Sequence, residues 1–270
     1  MSIPIKTILT PVDFSTRTEK SVAYAARLAR HYAAEVVLLH IIEPAHVDYA
    51  MAQAPDFASQ LEKMQTDGAR AQLAGFASAA LDGIRTRHVI ARGAAADEIL
   101  ANSKHADLVV MPTQGHGRFR EFLIGSVTAK VLHDCNKPVL TGIHLSDPSL
   151  TSDWHVSNIV CAIDLGPETG EVLKWGAALV AEFGAKVTVV HVNAESGIAP
   201  HIGKMAQDAG LQAEIVVLPG EPHRGVVSTA EARDADLVII GRGSTPGALG
   251  RLRAQAYEIV RKSPCPVLSV

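Results

Sequence analysis

The stretch ILTPVDFS, residues 8–15, decides the fold, because it returns as IVCAIDLG at residues 159–166. Asp13 then aligns with Asp164, an offset of 164 − 13 = 151. VVLLHI (36–41) returns as TVVHV (188–192), placing His40 on His191 at the same offset. ADLVVMPTQG (106–115) returns as ADLVIIGRGS (235–244), and KPVLTG (137–142) as CPVLSV (265–270), at the smaller offsets 235 − 106 = 129 and 265 − 137 = 128. Self-similarity of this kind is read before any element is assigned, because it sets the domain count. The falling offset says that the second copy lost roughly two dozen residues between its second and third strands. The first copy spends residues 43–83 there and the second only 193–210.

Two copies of one fold suit a chain of 270 residues, since single cores stop growing near this length. The polar, proline-bearing HLSDPSLTSDWH (144–155) reads as the join. The expected organisation is a first domain at 1–143, a linker at 144–156 and a shorter second domain at 157–270.

Within each copy, short β-branched runs alternate with Ala-rich helical stretches. In the first copy the candidate strands are 5–10, 35–41, 86–90, 107–111 and 138–142. The first helix starts at Thr16, where T-R-T-E offers a capping box between Thr16 and Glu19. Val22, Ala25, Ala26, Leu28, Ala29 and Ala33 then recur near helical spacing. Aromatic residues are only 4% of the chain, so the core must be built from Ala, Val, Ile and Leu. Near-continuous apolar strands alternating with such helices predict an α/β fold. We expect two tandem Rossmann-like, doubly wound domains, each with a five-stranded parallel sheet and helices on both faces. A ligand should lie beyond the carboxyl ends of the strands, where the strand order reverses.

Charge excludes some partners. The net charge is −3 with no basic block and no interleaved aromatics, which argues against nucleic acid. No export signal and no membrane-length apolar run is seen, and Cys135, Cys161 and Cys265 have no metal-like spacing. They read as reduced thiols of a soluble cytoplasmic protein, with Cys265 inert in its apolar strand.

Three pieces converge on the ligand edge: Asp13 after the first strand, His40 to Ile42 at the end of the second, and Thr113 to Ser126 after the fourth. A glycine-rich turn running into a helix N-terminus presents outward-pointing amides that favour an anion. Gly115 and Gly125 let the main chain approach a polyphosphate, and Ser126 offers an amide and a hydroxyl. Asp13 could meet a sugar or base, or simply cap the following helix, as could Asp164. His40 and His191 read as packing or hydrogen-bonding residues. There is no P-loop, no complete dinucleotide fingerprint, no zinc spacing among the histidines and no nucleophile elbow near His116 or His133. With no positioned general base, a slow ATPase is the most catalysis the sequence supports.

These residues resemble the universal stress protein family in its tandem-domain form. Its phosphate motif, G-x2-G-x9-G-[ST], ends here as Gly115, nine residues, Gly125 and Ser126, followed by Val127; ILTPVDFS, LLHI, NKPVL and SPCPVLSV match its other patterns. The resemblance spans nearly all of both halves. It implies ATP or a related adenine nucleotide, with magnesium carried by the nucleotide. Adenine and ribose would meet Pro11, Val12, Asp13 and Ile41, with Met111 closing the fourth strand. The phosphates would meet Gly115, Gly125, Ser126 and Val127. It also implies that the halves pair like a homodimer of single-domain relatives, with further dimerisation open. Two departures stand out. The motif's first glycine falls on Pro112, which has no N–H. In the second copy Arg253 and Ala254 replace Gly125 and Ser126, and Ser244 replaces the second glycine, so no standard ATP site is expected there. Arg242, Arg251 and Arg253 are its alternative anion patch. The competing reading is a scaffold without nucleotide, its halves joined through their last strands.

Overall fold

The computed structural model describes residues 3–44, 57–113, 124–142, 154–192, 197–242 and 250–270, with backbone alone at 57–58 and 250–254. The first half runs β1 (Thr7–Val12), α1 (Thr16–Tyr32), β2 (Glu35–Ile42), α2 (Phe57–Gly75), β3 (Thr86–Arg92), α3 (Ala95–Ser103), β4 (Leu108–Val110), α4 (Ser126–Asp134) and β5 (Val139–Thr141). The second repeats it as β6 (Asn158–Ile163), α5 (Thr169–Phe183), β7 (Lys186–Val192), α6 (Ala199–Asp208), β8 (Glu214–Leu218), α7 (Pro222–Ala232), β9 (Leu237–Ile240), α8 (Gly250–Lys262) and β10 (Val267–Ser269).

Each half contributes five parallel strands, but they do not form two sheets. All ten join in the order β3-β2-β1-β4-β5-β10-β9-β6-β7-β8, and among the described residues the one antiparallel pair is β5 with β10. The two expected five-stranded parallel sheets are thus joined edge to edge through their last strands. An isolated five-stranded unit would leave β5 or β10 as an open edge of unpaired backbone groups, and pairing the two removes both edges.

Strand alternation divides the side chains between two cores. Ile8, Val12, Val36 and Leu38 face one layer, where they meet Val22, Leu28 and Leu73 of α1 and α2 together with Leu173 and Ile202 of α5 and α6. Leu9, Val37, Leu39 and Val109 face the other, with Ile99 and Val131 of α3 and α4 and Val226 and Ile259 of α7 and α8. Both cores run through both halves, so neither half buries its apolar faces alone.

The expected cap moves by one residue. Ser15, not Thr16, is the N-cap of α1, its hydroxyl accepting from the Thr18 amide at 3.3 Å. The cause lies upstream: Asp13 Oδ1 accepts from the Ser15 amide (3.0 Å), the Ser15 hydroxyl (2.6 Å) and the Thr18 hydroxyl (2.9 Å). That carboxylate fixes the extended Ser15 and leaves Thr16 as the first helical residue. A second carboxylate pair explains the repeated AD motif. Asp107 Oδ2 accepts from the amides of Lys6 and Thr7, and Asp236 Oδ2 from those of Ser157 and Asn158, tying the start of β1 and of β6 to the neighbouring strand.

The stretch read as a linker ends inside the protein. Trp154 and Val156 are buried in the core that α1 and α5 share. Trp154 Nε1 donates to Tyr24 Oη at 2.9 Å, and its ring lies edge-on to Phe183 at 5.0 Å. Beside it His31 Nε2 meets Glu182 Oε1 at 2.5 Å, and Tyr32 Oη donates to Glu182 Oε2 at 3.1 Å. Burial pushes the Tyr24 phenol up to about 12, so it stays neutral and accepts the indole proton. Replacing Trp154 with Ala should cost about 3–5 kcal/mol in chemical denaturation, the range for large buried aromatics. Trp154→Phe keeps the apolar body but strands the Tyr24 hydroxyl, and should cost about 1–3 kcal/mol.

Candidate functional site

In the order β3-β2-β1-β4-β5 the chain reverses direction across the sheet between β1 and β4, and in the second half between β6 and β9. The loops leaving those strands diverge to opposite faces, so a crevice opens at each reversal. At the first crevice β1 ends at Val12 beside His40 of β2, and β4 lies on its other side.

The expected residues around this crevice sort by burial. Pro11, Val12 and Met111 are buried, and Met111 also gives its amide to the Leu140 carbonyl at 3.1 Å. Their contribution is the shape of the rim rather than exposed side chains. Asp13 and Ile41 are partly exposed. Phe14 adopts the left-handed conformation at φ 60°, and its ring rests on His40 at 4.4 Å and on Phe76 at 5.5 Å. His40 Nδ1 donates to the Val12 carbonyl at 2.8 Å, the hydrogen-bonding role expected of it.

Beyond β4 the chain passes Pro112 and Thr113, and the residues from 114 to 123, Gly115, His116, Arg118 and Phe119 among them, lie outside the described residues. Two bonds close the base of the loop. The Gly125 amide donates to the Thr113 carbonyl at 2.9 Å, and the Thr128 hydroxyl donates to the Pro112 carbonyl at 3.0 Å. Gly125 therefore spends its own amide within the loop. It is also the N-cap of α4 and supplies no side-chain cap, which leaves the first-turn amides beginning at Ser126 and Val127 without one. Ser126 is exposed and Val127 partly so.

The second crevice departs for a local reason. Aligning β10 on β5 at 267 − 139 = 128 places Arg253 and Ala254 on Gly125 and Ser126, yet α8 already begins at Gly250. The helix has grown by about one turn, so the positions that start α4 lie within α8. The side chains of Arg251 and Arg253 are outside the described residues. Arg242 is described, and its Nη1 donates to the Cys135 carbonyl of the first half. Burial lowers its pKa, and the residue read as an anion ligand clips the two halves together. Asp164 Oδ1 accepts from the Gly166 amide at 2.8 Å, a turn-closing use.

A cavity of about 200 Å³ remains at this second crevice, bounded by the ends of β6, β7 and β9 and by α5, α7 and α8. His191 and Thr169 line it. The sequence reading gave His191 a packing or hydrogen-bonding role, and its Nδ1 does donate to the Ile163 carbonyl at 2.9 Å. It missed Thr169, and it missed that each of the two residues keeps a buried polar atom with no partner among the described residues. The available signal was Gly241, which stands at 241 − 129 = 112, the position of Pro112.

Two doubly wound α/β units on one sheet, each with a crevice at its reversal, define a tandem Rossmann-like protein. The chain belongs to the universal stress protein family, whose sequence model matches residues 4–141, 155–201 and 194–270. The second match breaks at 194–201, where the second copy has lost its residues. A universal stress protein of Mycolicibacterium smegmatis is 25% identical over 288 residues, 97% of this chain and 96% of the relative. Universal stress protein MJ0577 of Methanocaldococcus jannaschii is 28% identical over 155 residues, covering 52% of this chain and 96% of its own. The crystal structure of a universal stress protein from Archaeoglobus fulgidus superposes with a TM-score of 0.76 at 19% identity, over 99% of this chain and 97% of the other, a likeness of fold. Among the described residues no helix is long and apolar enough to cross a membrane.

All three thiols are buried and unpaired. Burial pushes Cys161 up to about 12 and Cys265 up to about 11, so at pH 8 almost none of either is thiolate. A thiol reagent at pH 8 should label none of the three in the folded protein and all three once denaturant unfolds it.

Proposed function

We propose that this universal stress protein binds ATP or a related adenine nucleotide at the first-half crevice as a regulatory ligand, with magnesium carried by the nucleotide. The observation that carries the reading is the start of α4. Its first-turn amides have no side-chain cap, and the Thr113–Gly125 bond holds them beside the end of β4 at the strand reversal. Such a terminus favours a phosphate group. Asp13 and Ile41 are the partly exposed groups at the strand ends that a base or ribose would meet; Gly115, the motif glycine proposed for the phosphates, lies outside the described residues. Pro112 lacks an N–H, but the carbonyl it keeps anchors the start of α4 through Thr128. We place the protein in the cytoplasm, in keeping with its unpaired thiols, and allow for a homodimer of the whole chain.

Titration calorimetry with ATP, ADP, AMP and cyclic nucleotides tests this directly. A saturable heat is expected with at least one of them. Ser126→Asp should weaken that binding at least tenfold while leaving the unfolding midpoint unchanged or slightly higher, because an acidic residue in a first helical turn favours the helix but repels phosphate. If the folded protein takes up no nucleotide at millimolar concentration, the reading fails. The scaffold reading would then hold, and its mark is a Tm that nucleotide does not move.

A further inference from the structure

We propose that the second half carries its own binding site, distinct in chemistry from the first: the cavity at the ends of β6, β7 and β9 takes a compact, largely apolar molecule that presents one N–H or O–H donor.

The walls set the size and the polarity. Ile163, Val172, Val190, Val226, Ile240 and Ile259 give the cavity an apolar lining. Its volume of about 200 Å³ is below the roughly 300–1,000 Å³ typical of sites for drug-sized ligands, so its occupant is smaller. Two polar atoms break the lining. His191 is 4% exposed and Thr169 is 2% exposed, and neither His191 Nε2 nor Thr169 Oγ1 has a hydrogen-bond partner among the described residues. Buried polar side-chain atoms are normally paired, and leaving one unpaired costs about 1–3 kcal/mol. Two such atoms on residues that line one hollow point to an occupant that satisfies them.

The histidine also sets the sign of the hydrogen bond. A carbonyl oxygen can only accept, so the bond to Ile163 places the proton on Nδ1 and leaves Nε2 of the neutral ring as an acceptor. The occupant must therefore donate to His191. Thr169, at the first residue of α5, can accept or donate. The first half builds the same histidine bond and then covers the ring with Phe14, whereas the matching residue, at 14 + 151 = 165, is Leu165.

Polyphosphate fits poorly here. The equivalents of Gly125 and Ser126 lie inside α8, and Arg242 is tied to the Cys135 carbonyl. The site thus selects against the ligand class proposed for the first half, and it does not rest on that proposal.

The test uses the full chain with isotope-labelled Ile, Leu and Val methyl groups and three probes: indole, N-methylindole and ATP. Indole should move the methyl resonances of Val190 and Ile240 saturably, leaving those of Val12 and Ile41 in place. N-methylindole has the same body without the donor and should bind at least tenfold more weakly. In His191→Phe the two should differ by less than twofold. Should that variant not fold, the comparison of the two probes on the unaltered protein decides the matter alone. Equal affinities there would mean that the cavity reads no donor, and no saturable shift up to the solubility of indole would mean that only water fills it; either would overturn the proposal. So would ATP moving the Val190 and Ile240 methyls at lower concentration than indole. Loss of nucleotide binding at the first half would be read at Val12 and Ile41, and leaves this result untouched.

Discussion

The antiparallel pairing of β5 with β10 is the constraint on which the rest of the molecule depends. Leu140 faces Leu268, and the two are the same position of the repeat, since 268 − 140 = 128 matches the offset of those strands. A pairing in which a residue meets its own counterpart is isologous, as in a two-fold dimer. The same axis passes between α1 and α5. His31 meets Glu182 there, and 182 − 31 = 151 is the offset of the opening strands. In a dimer of identical chains that position would face a copy of itself, histidine on histidine or glutamate on glutamate. Covalent duplication let the two copies diverge into an acid and a base, with Tyr32 beside them donating to the same carboxylate. The partly buried pair thus sits between the two halves, with the Trp154 ring against His31 and Tyr32.

Once the two halves share one sheet and two continuous cores, neither crevice has to support the fold alone. That frees the loops at the strand reversals to change. The first half keeps α4 short, so its amides begin at the rim of the crevice. The second half winds the equivalent loop into α8, and commits Arg242 to the other half. Tyr257 of α8 donates to the Ala129 carbonyl of α4 at 3.0 Å, so the lengthened helix also serves the join between the copies. A phosphate terminus and an interface helix are alternative uses of one segment.

Much of this was legible in the sequence because repetition reports architecture. Ten strands in the expected order of types, the helices between them and the shortened second copy followed from aligning Asp13 with Asp164 and His40 with His191. Periodicity does not report which strand edges meet, so the single sheet entered only with the reading that joins the halves through their last strands: alternation looks the same on a free edge and on a paired one. The cap shifted from Thr16 to Ser15 because hydroxyl residues stand at both positions and only the Asp13 carboxylate, two residues upstream, chooses between them. Trp154 hid in a polar stretch, where composition outvoted one large apolar side chain. Met111 was legible as a strand end but not as a buried one. The cavity beside His191 was least visible of all, since it is made by residues of six separate elements whose only shared feature is what they leave unfilled.

The comparison between halves also separates scaffold from site. Bonds that both copies make in one geometry serve the shared fold, whatever else those side chains meet: the aspartates Asp13 and Asp164 closing a turn, Asp107 and Asp236 clamping strand starts, and the Nδ1 atoms of His40 and His191 bonding across to the first strand. Phe14 and Leu165 both stand at positive φ, 60° and 63°, a conformation that costs a non-glycine residue about 1–3 kcal/mol. Each copy holds that strained residue beside an aspartate that closes the turn, which marks it as part of the frame. Ligand choice must then reside where the copies differ. Proline stands against glycine at 112 and 241, a ring against an aliphatic chain at 14 and 165, and an open helix start against a helix interior at 125–126 and 253–254. Each of these differences lies at a strand reversal, so the divergence that bears on ligands has gathered at the two crevices, whereas the one at the axis, His31 against Glu182, serves the join.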